Sequence, residues 1–145
     1  MKISTKGRYA LRLMVDLSLY DTGEYVSLKD VAERQAISMK YLEQIVSQLT
    51  KAGYLHSVRG PQGGYKLARR PTQYTVGEIL RVTEGNLAPV SCLEVVPNPC
   101  PRAEFCSTLP VWEGLYQHIA DYVDGITLED VVNNEKKSPD SDDLI

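Results

Sequence analysis

The stretch from Ser27 to Arg70, SLKDVAERQAISMKYLEQIVSQLTKAGYLHSVRGPQGGYKLARR, leaves this chain few folds to choose from. Ser27 is placed to cap a short helix whose apolar side is Leu28, Val31 and Ala32, with Asp30 as a weak capping-box acid. Ala36-Ile37-Ser38 then makes a tight turn, and Ser38 caps a second helix, MKYLEQIVSQLTKAG. In that helix Leu42, Ile45, Val46 and Leu49 form the core stripe, and Gly53 ends it. Two short helices joined by so short a turn are a helix-turn-helix. Residues 54–70 read as strand, glycine-rich turn (Gly60-Pro61-Gln62-Gly63-Gly64) and strand, a hairpin in the position of a wing.

The flanks extend this unit. Ser4 and Thr5 cap a first helix carrying Tyr9, Leu13, Met14 and Leu17, stopped by Asp21-Thr22-Gly23. Thr75 caps VGEILRVTEG, with Glu78 at the capping-box position. From Asn86 to Pro110 the helical pattern lapses, and five of the eight prolines stiffen that loop. A last long helix is predicted over Pro110 to Asp124, with Thr127 capping a short terminal turn, TLEDVVN. Its stripe of Trp112, Leu115, Ile119 and Tyr122 exceeds what one small domain covers, which points to a homodimer. The expected fold is mainly α with a small β-hairpin wing: a winged helix-turn-helix plus a long dimerisation helix. Its parts are the DNA-binding unit with linking helix over 1–85, a cysteine loop over 86–109, the dimerisation helix and terminal turn over 110–133, and a disordered acidic tail over 134–145.

Charge separates these parts. Residues 1–70 carry twelve Lys/Arg against six Asp/Glu, whereas residues 71–145 carry four against thirteen. A basic half suits a polyanion, because neutralising phosphates dominates nucleic-acid affinity. In a helix-turn-helix the second helix enters the major groove by its N-terminal end, which here offers Ser38, Lys40, Tyr41 and Gln44. Gln44 matches adenine, and Lys40 matches guanine acceptors or phosphate. Glu43 either accepts from cytosine or stands at the edge of the footprint. Arg59, just before the wing turn, is placed for a narrow minor groove. Tyr9 either meets the DNA backbone or is a half-buried core aromatic. A winged unit spans a half-site, so the expected partner is a palindromic double-stranded operator.

Enzymatic signatures are missing: there is no phosphate-binding glycine loop, nucleophile elbow or HExxH motif. Lys2, Lys6, Arg8 and Arg12 interrupt any apolar leader and no stretch could span a bilayer, so no membrane partner and a cytoplasmic location are expected. All three cysteines, Cys92, Cys100 and Cys106, lie in the proline-rich loop. Their spacing lacks the close pairs and four ligands of a structural zinc site. Three thiolates on one loop suit an iron–sulfur cluster with one further ligand, with a thiol redox switch or incidental cysteines as alternatives.

The opening MKISTKGRYALRLMVDLS, the stretch from Leu28 to Arg69, the GEILRVTEG linker and the three-cysteine loop together resemble the IscR-type family of bacterial winged-helix iron–sulfur transcription regulators, over about residues 1–133. The resemblance implies a homodimeric transcription factor, usually a repressor, whose DNA binding responds to a cluster and so to iron–sulfur, iron, redox or nitric oxide status. It places the cluster on Cys92, Cys100 and Cys106, with 2Fe-2S expected ahead of 4Fe-4S, base reading on Ser38, Lys40, Tyr41, Glu43 and Gln44, and minor-groove contact on Arg59. A cluster-free regulator acting through a partner protein or a thiol switch is the alternative. Two departures stand out: Leu109 takes the place of the histidine that completes the cluster in IscR-like members, and Arg8 that of an acid used by others. The fourth ligand is unassigned, with His118, Glu104, Ser107 and a small molecule as candidates.

Overall fold

The computed structural model describes residues 2–137, so the end of the expected acidic tail, from residue 138 on, lies outside the described residues. In chain order the elements are α1 (Thr5–Leu19), α2 (Leu28–Gln35), α3 (Met39–Lys51), β1 (Leu55–Val58), β2 (Gly64–Leu67), α4 (Val76–Glu84), α5 (Leu109–Asp124) and α6 (Leu128–Lys137). Single 3-10 turns at Ser91–Leu93 and Ala103–Phe105 punctuate the loop that was expected to be irregular.

The helices start where short hydroxyl side chains can satisfy the otherwise unpaired first-turn N–H groups. Ser4, Ser27, Ser38 and Thr75 accept from the backbone N–H of Gly7, Asp30, Tyr41 and Glu78 respectively. Thr127 goes further, exchanging hydrogen bonds with Asp130 in a closed capping box. Glu78, expected to close such a box at α4, instead pairs with Arg69 at 3.3 Å.

The main core joins α1, α2, α3, β1, Tyr74, Ile79 of α4, and α6. Leu42, Ile45, Val46 and Leu49 of α3 are at most 1 % exposed, each stabilising the fold by about 1.5–3 kcal/mol through burial. One charge is buried with them. Asp16 accepts two hydrogen bonds from the Arg34 guanidinium, at 2.8 and 3.0 Å, and one from Gln35. The Arg34 plane also lies 3.8 Å above the Tyr20 ring, so α1 and α2 are locked at a fixed angle. Tyr74 ties the hairpin base to the core: its hydroxyl donates to the Tyr54 carbonyl and accepts from the N–H groups of Ala68 and Arg69.

The antiparallel hairpin pairs Leu55 with Leu67 and Val58 with Gly64. It is anchored to the helix-turn-helix by two hydrogen bonds of 2.9 Å between Val26 and Tyr65. Glycine is required beside this bridge, because a Cβ on Gly64 would lie 2.1 Å from the Val26 carbonyl oxygen.

Two features differ from expectation. The terminal turn is a ten-residue helix, and Leu128 and Val132 belong to the main core. The chain returns to the winged unit through Val76 N–H to Ile126 O and Leu128 N–H to Tyr74 O, which presents those apolar residues to α1. A second cluster, Val76, Leu80 and Leu87, receives Tyr116, Ile119 and Val123 from α5. Ile119, expected on the free stripe of that helix, is therefore directed toward α4. Arg81 and Asp124 close the α4–α5 contact with two hydrogen bonds of 2.6 and 2.9 Å.

Candidate nucleic-acid interface and cysteine loop

The N-terminal end of α3 is polar and uncovered: Ser38, Lys40, Glu43 and Gln44 are all exposed. Ser38 uses one oxygen lone pair as a cap, at 3.2 Å from the Tyr41 N–H, which leaves its proton free to donate outward. Tyr41 is half-buried and packs edge-on against Tyr9, 5.4 Å between ring centres. Tyr9 is half-buried, and it carries the Arg12 guanidinium 5.2 Å from its ring centre. Arg12 in turn donates to the Gln35 side chain and carbonyl, so these side chains brace α1 against α2 and α3.

Arg59 is exposed where the wing turn begins, and Gly60, at φ +110°, supplies a backbone conformation that side-chain-bearing residues rarely adopt. Between wing and helices runs a groove of about 570 Å³. Lys29 of α2, Met39 and Glu43 of α3, and Val58 and Arg59 of the wing line it. The structure thus brings Glu43 and Arg59 together on one groove, with Lys40 and Gln44 on the same exposed end of α3. Lys29 and Met39 do not stand out in the sequence. Lys29 gives a weak signal as an isolated cation on the first turn of α2, and Met39 falls in phase with the α3 core stripe, which disguises it.

On the cysteine loop, Cys92, Cys100 and Cys106 are free thiols, each partly exposed. Cys106 lies just before α5, its sulfur 3.3 Å from the Thr108 hydroxyl. That hydrogen bond, then backbone N–H groups at Thr108 and Leu109, hold its thiol below the usual value, with desolvation opposing. Asn98 accepts from the Cys100 N–H at 2.9 Å, while its own buried amide nitrogen has no partner. His118 sits on α5 with Nδ1 2.7 Å from the Gly114 carbonyl, engaged with its own helix. Among the described residues no three His, Cys, Asp or Glu side chains are gathered closely enough to hold a metal ion. The donors fit an iron–sulfur cluster in their chemistry, being thiols outside any disulfide, but the loop would have to draw them together.

Along α5, Trp112, Leu115 and Tyr122 keep 37 %, 40 % and 71 % of their surface exposed. Among the described residues no helix is long and apolar enough to cross a membrane.

A braced helix-turn-helix with a polar recognition-helix end and a paired wing defines a winged-helix, DNA-binding class of protein. The family model Rrf2, described as an iron-dependent transcriptional regulator, matches residues 3–134, and the chain belongs to that family of transcriptional regulators. It is 37 % identical over 140 residues to Protein rrf2 of Nitratidesulfovibrio vulgaris, covering 96 % of this chain and 92 % of that one. Among solved structures it is similar to T. potens IscR, with 40 % identity, TM-score 0.77 and coverage of 97 % and 93 %. It is also similar to CymR, the global cysteine regulator of B. subtilis, with 37 % identity, TM-score 0.74 and coverage of 92 % and 98 %.

Proposed function

We propose that this transcriptional regulator binds a palindromic operator as a homodimer. Lys40, Glu43 and Gln44 read the major groove, Ser38 contacts phosphate, Arg59 enters the minor groove, and Tyr9 and Tyr41 hold the reading helix in place. The observation that carries this is the single groove on which the uncovered end of α3 faces the wing arginine. The exposed Trp112, Leu115 and Tyr122 of α5 form the dimer contact. Cys92, Cys100 and Cys106 would hold an iron–sulfur cluster, which supplies sensitivity to iron, redox state or nitric oxide when bound; the family's iron-dependent description supports this. Gln44→Ala is expected to weaken specific binding by about 1–3 kcal/mol, and unchanged affinity and base preference would remove Gln44 from the reading set. For the loop, anaerobic reconstitution of the Cys92→Ala, Cys100→Ala and Cys106→Ala variants should abolish iron and sulfide uptake. Wild-type absorbance in all three would refute the ligand set.

The ungathered thiols favour a second reading, a cluster-free regulator acting through a partner protein or a thiol switch. A colourless protein after anaerobic isolation, together with a stable complex or a reversible change in DNA binding on oxidation, would select it.

A further inference from the structure

Helix α3 has one large apolar side chain that the core does not take. Leu42, Ile45, Val46 and Leu49 are essentially inaccessible, whereas Met39, at the first position of the helix, is 40 % exposed. Its surroundings are mixed: the exposed Val58 of the wing lines the same groove, but charged side chains frame it. Met39 shares the groove with Lys29, Glu43 and Arg59, and the neighbouring Lys40 is exposed as well. Three cations beside an uncovered thioether describe a surface that approaches a polyanion while presenting apolar groups to it, Met39 from the start of α3 and Val58 from the wing. Duplex DNA offers few matching groups. Major-groove base edges present hydrogen-bond donors and acceptors, and the apolar group among them is the C5-methyl of thymine. Residues at the start of a recognition helix are those that reach base edges. Glu43, one turn further along the same face, bears a carboxylate whose partner on DNA is the cytosine amino group.

We infer that Met39 is a specificity-determining residue that contacts the C5-methyl of a thymine in the operator. The inference rests on the proposal that this end of α3 faces the major groove. An unbranched thioether suits the task, since its flexible, polarisable chain adapts to a small apolar target without fixed hydrogen-bond geometry.

The test uses the whole protein and a duplex enriched by it from a randomised pool. Each thymine is replaced in turn by deoxyuridine, which removes the methyl and leaves base pairing unchanged. One replacement should weaken wild-type binding roughly fourfold, the size of one buried methyl group. Met39→Ala should bind the parent duplex more weakly and show no difference between thymine and deoxyuridine at that position, whereas Met39→Leu should keep the difference. The inference is overturned, with the DNA reading intact, if wild type enriches a site at which no such replacement matters, or if Met39→Ala retains the thymine preference. Failure of wild type to enrich any sequence would overturn both.

Discussion

Helices α3 and α5 are both amphipathic, 13 and 16 residues long, and they meet opposite fates. The apolar stripe of α3 vanishes into the core, whereas α5 contains no buried residue, although Tyr116, Ile119 and Val123 lean on α4. The ion pairs repeat the contrast. Asp16 is fully enclosed by Arg34 and Gln35, but Asp124 meets Arg81 with 42 % of its side chain exposed. Similar local chemistry therefore closes a core around α3 and leaves an open apolar surface along α5.

The largest test of that contrast is to break each ion pair. Arg34→Met should cost about 3–5 kcal/mol in urea denaturation, since it leaves the fully buried Asp16 charge without its cation; Asp124→Ala should cost under about 1 kcal/mol. Equal losses would erase the distinction. Next come the stripes: Leu42→Ala should cost about 2–5 kcal/mol, while Leu115→Ala should leave the folding of a single chain within about 0.5 kcal/mol. Leu115→Glu should instead shift sedimenting mass toward the monomer if α5 forms the dimer contact.

A smaller effect is pH-dependent. Arg81 holds the Asp124 carboxyl below its ordinary range, against a lesser opposing effect of desolvation. The pair's stabilisation is therefore full above the unfolded aspartate value of about 3.9 and is lost as pH falls through the lowered folded value. Arg81→Met should flatten that acid limb by at most about 1 kcal/mol, given the exposure of both partners. The smallest effect concerns reactivity. In cluster-free protein, Cys106 should be alkylated at lower pH than an ordinary cysteine thiol, and Thr108→Val should move its profile to higher pH, as followed by mass spectrometry.

The sequence discloses most where structure is local. Ser4, Ser27, Ser38 and Thr75 mark their helices correctly, because a cap is a hydrogen bond to the N–H three residues on and needs no distant partner. It discloses less where the chain returns on itself. Leu128 and Val132 read as a short turn, since their burial depends on pairing Tyr74–Val76 with Ile126–Leu128, some fifty residues apart in sequence. Ile119 reads as part of the free stripe because α5 is apolar over a broad arc, and only α4 decides which part is covered. Met39 is hidden for the converse reason: it keeps the core periodicity but lies one turn beyond the core's edge. At the site, exposed polar residues are legible as readers, while the bracing of Tyr41 by Tyr9 requires three-dimensional contact.

The Arg81–Asp124 clasp and the backbone return at Ile126 pin α5 at its C-terminal end, while Cys106 and Thr108 stand at the other. Mechanically the helix is a lever. Sixteen residues make a rod of about 24 Å, so a rotation of about 5° at the clasp displaces the cysteine end by roughly 2 Å. By the same geometry, a shift of roughly 2 Å at the cysteine end of a rigid α5 corresponds to a turn of about 5° where the helix meets α4.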